Sequence, residues 1–174
     1  MIVVLIGPSG SGKTEFSKEC IRQGLDRVIT NTTRARREGD RIDEYHFLTR
    51  EEFVNKINSN KLVEYAEYNG NLYGVGIDDI TENCVVVVEP NGFRNIKKIF
   101  GDRVFSVYLE VSELERARRA KSRGDDVKTI SERIIEDRLL FTNELKREVN
   151  LVLTDIKLEK IPSIVRQHMC FWKE

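Results

Sequence analysis

The run Gly7-Pro8-Ser9-Gly10-Ser11-Gly12-Lys13-Thr14 constrains this chain more than any other stretch, because it follows at once on Ile2-Val3-Val4-Leu5-Ile6. Five apolar residues bounded by a glycine turn read as a buried strand, and the chain must then bend sharply into a helix. The glycines let backbone N–H groups converge on phosphate oxygens with no Cβ in the way. Ser9, Gly10, Ser11 and Gly12 supply those amides, Lys13 reaches the β- and γ-phosphates, and the Thr14 hydroxyl is placed to ligate Mg²⁺. A helix opening at Lys13 adds its positive N-terminal end to the same site. Strand, loop and helix in this order make a Walker A phosphate loop. The chain is therefore read as binding a nucleoside triphosphate.

Downstream, strand-like and helix-like segments alternate, which predicts a parallel sheet covered by helices. Residues 13–23 read as a helix stopped by Gly24, and residues 27–30 as a short second strand. Thr49-Arg50-Glu51-Glu52 is a capping box opening a helix, and Asn69-Gly70 is a type I′ hairpin signal between strands at 62–68 and 72–75. Residues 84–89 hold four consecutive valines, the pattern of a strand buried on both faces. A helix at 91–100 and a strand at 104–110 follow. A second capping box at Ser112 starts a helix to about 123, and a third, at Thr129–Glu132, starts the next. A strand at 150–154 and a helix at 161–169 close the pattern.

The length of 174 residues suits one domain with a substantial core. Lys+Arg and Asp+Glu balance at 29 each, so charge gives no reason to expect nucleic acid or an anionic membrane as partner. Cys20, Cys84 and Cys170 are odd in number and far apart, which suits free thiols in a reducing cytoplasm. No apolar stretch approaches the ~20 residues that span a bilayer.

After the second strand, Thr30-Asn31-Thr32-Thr33-Arg34-Ala35-Arg36-Arg37 sets three arginines within four positions, beside threonine hydroxyls. Guanidinium forks match phosphate oxygens, so this is a candidate second anion site. Then come Asp43-Glu44-Tyr45-His46-Phe47, Leu62-Val63-Glu64-Tyr65-Ala66 and Gly70-Asn71-Leu72-Tyr73-Gly74. In order and spacing, with one residue missing between Arg37 and Tyr45, these elements resemble the guanylate kinase family over nearly the whole chain.

The resemblance implies an α/β P-loop NTPase fold: a parallel β-sheet flanked by helices, a small inserted monophosphate-binding lobe and a mobile helical lid. The expected division is a core of residues 1–30, 77–120 and 132–174, a lobe of about 31–76 and a lid of about 121–131. The implied activity is phosphoryl transfer from ATP to GMP or dGMP, with Mg²⁺ as cofactor, in a cytoplasmic monomer or homodimer. Arg34, Arg37, Tyr45 and Tyr73 would hold the acceptor phosphate, and Glu64 would accept from the guanine N1–H and 2-amino group. Thr30 and Glu89 would lie near the base. Arg123 and Arg133 would close over the transferring group, with Arg119 and Arg138 as nearby candidates for the second role.

Two positions depart from the family. Val75 stands where a base-contacting hydroxyl is usual, and Val87 replaces the first carboxylate of an Asp-x-Asp element. Three alternatives stay open. Tyr73-Gly74-Val75-Gly76 and Asn91-Gly92-x-Arg94 also resemble ribose 1,5-bisphosphate phosphokinase. A relaxed deoxynucleoside-monophosphate kinase fits Val75. A guanylate-kinase-like interaction module is the reading without catalysis.

Overall fold

The computed structural model describes residues 1–36, 45–68 and 70–172. β1 (Ile2–Ile6) sends Ile2, Val4 and Ile6 to one face of a sheet and Val3 and Leu5 to the other, and all five are buried. A strand without a polar face has to be covered on both sides. On one side lie Phe93 and Ile96 of α3 (Pro90–Phe100) and Leu145 of α6 (Asn143–Glu148). On the other lie Phe16 and Cys20 of α1 (Lys13–Arg22) with Ile161 and Val165 of α7 (Ile161–Trp172). The sheet is parallel throughout. Its spatial order is β2 (Asp26–Arg27), β7 (Cys84–Val87), β1, β8 (Val104–Glu110), β9 (Leu151–Thr154).

The strand expected at residues 27–30 is divided between two sheets. Asp26 and Arg27 pair with β7, whereas Thr30 opens β3 (Thr30–Thr32) of a second, four-stranded sheet. That sheet runs β4 (Tyr45–Phe47), β3, β6 (Asn71–Gly76), β5 (Leu62–Tyr68), with α2 (Arg50–Asn58) between β4 and β5 in sequence. The capping box predicted at Thr49 forms in full, with the Thr49 hydroxyl accepting from the Glu52 amide and the Glu52 carboxylate from the Thr49 amide. Asn69 lies outside the described residues. Gly70, at φ +73°, and the pairing of Tyr68 with Asn71 agree with the expected two-residue hairpin. Val63, Val75 and Ile80 join the core cluster of the first sheet, so the second sheet is packed on it.

Two helices follow β8. α4 (Glu113–Ser122) starts where predicted, with the Ser112 hydroxyl accepting from the Glu115 amide. α5 (Val127–Leu140) starts earlier than the third capping box implies. Its N-cap is Asp126, whose carboxylate accepts the Thr129 amide at 3.0 Å and also takes the Thr129 hydroxyl, leaving Thr129 inside the first turn. Among the described residues no helix is long and apolar enough to cross a membrane.

Candidate active site

The phosphate loop hangs between the C-terminal end of β1 and the start of α1, against the two helices that follow β8. Gly10 has φ +80°, and a Cβ built there would lie 3.2 Å from the Arg116 carbonyl oxygen, so a side chain is excluded both by conformation and by the closeness of α4. A cavity of about 570 Å³ opens along the loop, lined by Ser9, Gly10, Gly12, Lys13 and Thr14, with Arg119, Ser122 and Arg123 of α4 and its end facing them. The Lys13 ammonium donates to the Gly7 and Pro8 carbonyls. Burial pulls its pKa below the usual lysine range, while the charges of Glu89 and Asp137 oppose that shift. Ser11 braces the loop: its amide donates to the Pro8 carbonyl at 3.2 Å and its hydroxyl is buried without a partner.

Three charged side chains support this loop without belonging to any motif of the sequence. Arg119 donates to the Gly10 and Ser11 carbonyls, both at 3.3 Å, and to the Ile156 carbonyl at 3.0 Å. Arg116 donates to the Ser9 carbonyl at 3.1 Å and pairs with Asp137. Asp137 accepts the Ser9 amide at 3.1 and 3.3 Å from its two oxygens. Arg116 is 5% and Asp137 8% exposed. The available signal was periodicity: Arg116 lies four residues before the buried Ala120, and Asp137 seven after the buried Ile130, both on the inward faces of their helices. A charge at such a position is worth reading as a built contact.

Arg123 and Arg133 meet at one carboxylate. Asp125 accepts from Arg123 at 3.4 Å and from Arg133 at 2.9 Å, so the turn between α4 and α5 gathers both arginines, of which Arg123 lines the cavity and Arg133 the small space around Ser9. Arg138 points elsewhere, in a two-pronged pair with Glu113.

On the far side of Thr14 lies a second cavity of about 290 Å³, whose wall includes Thr30, Tyr45 and Val75 together with Lys18 and Arg27. Thr14 lines both spaces. Strand register explains the grouping: Thr30 pairs with Tyr45 on one side and with Val75 on the other, and Val75 pairs with Glu64. Tyr45 and Tyr73 meet edge to face with centroids 6.5 Å apart, and the Arg34 guanidinium lies 5.2 Å from the Tyr45 ring centre. Arg37 lies outside the described residues.

The Glu64 carboxylate is turned toward the start of α3, where it accepts the Glu89 amide at 3.0 Å. Burial pushes its pKa up to about 7. Gly92 makes room for it: a Cβ there would fall 2.2 Å from a Glu64 carboxylate oxygen. Glu89 is raised as well, mainly by burial, against the attraction of Lys13. Arg94, in the same turn, is held by both carboxylate oxygens of Glu148.

For a cation the described residues offer little. Among the described residues no three His, Cys, Asp or Glu side chains gather in a way that could hold one, and Val87, in place of the carboxylate of the Asp-x-Asp element, is 37% exposed. The exposed Thr14 hydroxyl, at the meeting point of the two cavities, is the remaining candidate ligand. One hydroxyl completed by phosphate oxygens and water suits Mg²⁺, which sheds water reluctantly.

The family model described as guanylate kinase matches residues 1–170. A guanylate kinase of Shouchella clausii is 32% identical over 187 aligned positions, covering 98% of this chain and 89% of that protein. A guanylate kinase of Bacillus cereus is 37% identical over 155, covering 83% and 73%. The crystal structure of guanylate kinase from Anaplasma phagocytophilum superposes with a TM-score of 0.63 at 21% identity, covering 98% of this chain and 85% of that one, a likeness of fold. With the phosphate loop and the second sheet both inside the matched residues 1–170, the chain belongs to the guanylate kinase family.

Proposed function

We propose that this protein transfers the γ-phosphoryl group of ATP to GMP or dGMP, giving ADP and the corresponding diphosphate. The observation that carries the reading is the position of Thr14 between the phosphate-loop cavity and the cavity walled by Thr30 and Tyr45. Donor and acceptor phosphates bound there would face each other across one hydroxyl, as in-line transfer requires.

In this reading Gly10, Gly12 and Lys13 hold the ATP phosphates, while the Ser9 and Ser11 amides, expected to join them, already donate to Asp137 and the Pro8 carbonyl. Lys13 leaves the Gly7 and Pro8 carbonyls to reach the phosphates. Arriving phosphate charge opposes the burial that depresses its pKa. Mg²⁺ held by Thr14 and the phosphates would neutralise charge on their oxygens. Arg34, Arg37, Tyr45 and Tyr73 grip the acceptor phosphate, with Thr30 and Glu89 beside the base. Glu64 accepts from the guanine edge, and donors brought by guanine favour its charged form. Arg123 and Arg133 exchange Asp125 for the transferring phosphoryl group.

Residues 31–76 act as the acceptor lobe and about 121–131 as the lid, closing together so that water is kept from the γ-phosphate. Cys20 and Cys84 are buried free thiols with pKa values pushed up to about 12 and about 11, which suits a reducing cytoplasm.

A coupled assay of ADP release across GMP, dGMP, AMP, CMP, dTMP and ribose 1,5-bisphosphate tests the reading. GMP and dGMP should sustain turnover well above the rest. Turnover with ribose bisphosphate alone, or none with any acceptor, would reject it.

A further inference from the structure

The Ser9 backbone is bonded on both sides of its Cα by one buried ion pair. Its N–H donates to Asp137 of α5, at 3.1 and 3.3 Å, and its carbonyl accepts from Arg116 of α4 at 3.1 Å. Arg116 in turn donates to Asp137, so peptide, guanidinium and carboxylate close a ring of hydrogen bonds away from water. Packing alone does not call for charge here. Apolar residues of similar volume commonly stabilise as well as a buried pair, and the neighbouring Ala120 and Ile130 are apolar. What the pair adds is direction, since it fixes the orientation of the two successive peptide planes that meet at Ser9 in the phosphate loop.

We propose that Asp137, with Arg116 as its counter-ion, is a positioning residue for phosphoryl transfer. The two hold the phosphate loop in its nucleotide-ready shape and register it against the helix that carries Arg133. This rests on the reading of the site as an ATP-dependent kinase. Arg133 stands one turn before Asp137 on α5, so the carboxylate that anchors the loop also sets how far that arginine lies from it. The small space around Ser9 is lined by Arg116, Arg133 and Asp137 together. The negative charge of Asp137 is also felt at Lys13, where burial lowers the pKa and Asp137 opposes it. Loop peptide, lid arginine and loop lysine thus share one neighbour.

Three measurements test this, each beside wild-type protein assayed with ATP and GMP. Asp137→Asn keeps the shape and removes the charge. The double variant Arg116→Met with Asp137→Leu removes both charges and keeps an apolar filling. Both should lower kcat at least tenfold, raise KM for ATP and leave KM for GMP within twofold. The double variant should also melt close to wild type. A double variant that folds and keeps kcat and KM for ATP within twofold of wild type would show the pair to be structural only. Amide hydrogen exchange of ATP-free wild-type protein reads the contact even if neither variant folds. Ser9 should exchange far more slowly than an open loop amide, and exchange at the unprotected rate would overturn the proposal. Absence of kinase activity in the wild-type protein would instead remove the functional reading, a result distinct from both.

Discussion

On the donor side of the cleft, three carbonyls and one amide of the phosphate loop are already bonded to Arg116, Arg119 and Asp137. On the acceptor side, Tyr45 and Tyr73 meet edge to face at 6.5 Å, and the Glu64 carboxylate rests on the Glu89 amide, outside the wall of the neighbouring cavity. One half is fixed before nucleotide arrives. The other has its parts aligned by strand register and, in the proposed reading, closes on its ligand. The difference suits a kinase, because a rigid donor site preorganises the charge-stabilising groups while a closing acceptor site keeps water out until the acceptor is bound.

The largest expected effect breaks the donor half. Lys13→Ala should lower kcat by on the order of 10²–10³-fold, since the lysine meets charge that develops in transfer. Calorimetry should find GMP binding little changed, because Lys13 belongs to the other cavity. Near-normal turnover would show that the loop is not the donor site.

Next comes Glu64→Gln on the acceptor side. Losing a charge-assisted pair of bonds to guanine should raise KM for GMP by roughly 10- to 100-fold and leave KM for ATP alone. The same variant tests the buried carboxyl through pH. A folded-state pKa of about 7, above the ordinary value of 4.5, means the folded protein holds a proton that the unfolded chain has released. The stability this group contributes is therefore full below about pH 4.5, falls as pH rises to about 7 and is lost above it, by roughly 3 kcal/mol. Glu64→Gln should flatten that slope in melting temperatures measured from pH 5 to 8. In the wild type, KM for GMP should rise as pH drops below about 7, where the carboxylate takes up a proton. An unchanged slope in the variant would assign the pH dependence to another group.

The two halves were also unequally legible. The donor loop is contiguous, so its strand, glycines, lysine and threonine stood in one reading frame of eight residues after a buried run. The proposed acceptor site is drawn from all four strands of the second sheet, and only the resemblance to a family joined Thr30, Tyr45, Glu64 and Tyr73 in advance. Register then supplied the physical reason, with Thr30 beside Val75 and Val75 beside Glu64. The switch of the chain between sheets after Arg27 was hidden, because residues 27–30 have strand character whichever sheet they join. Arg116 and Asp137 were hidden for a different reason. A charged residue on a helix reads as solvent-facing until a partner from a distant helix is seen to bury it.

Gly92→Ala sharpens the acceptor half. The added methyl would fall on the flexible end of Glu64 and 3.0 Å from the Val88 Cβ, so the carboxylate has to shift and the fit against Val88 tightens. A displacement of this kind should raise KM for GMP roughly tenfold, with kcat for bound substrate less affected. Should the variant bind GMP as tightly as wild type, Glu64 does not recognise the base from its present seat.

The smallest expected effect is Val75→Thr. Val75 lies between Thr30 and Glu64 in the strand register, lines the acceptor cavity and is 5% exposed. A hydroxyl there would give guanine one further partner, worth about 0.5–1.5 kcal/mol, or roughly two- to tenfold in the preference for GMP over AMP. The exchange is not neutral for the fold, because Val75 also belongs to the core cluster between the two sheets and the hydroxyl of Thr is not isosteric in effect with a methyl. A stability loss of roughly 1 kcal/mol should accompany the gain in selectivity. The two readouts part cleanly. A loss of stability without any change in the GMP to AMP ratio would show that Val75 faces the core and not the base, and base choice would then rest on Glu64 and Thr30.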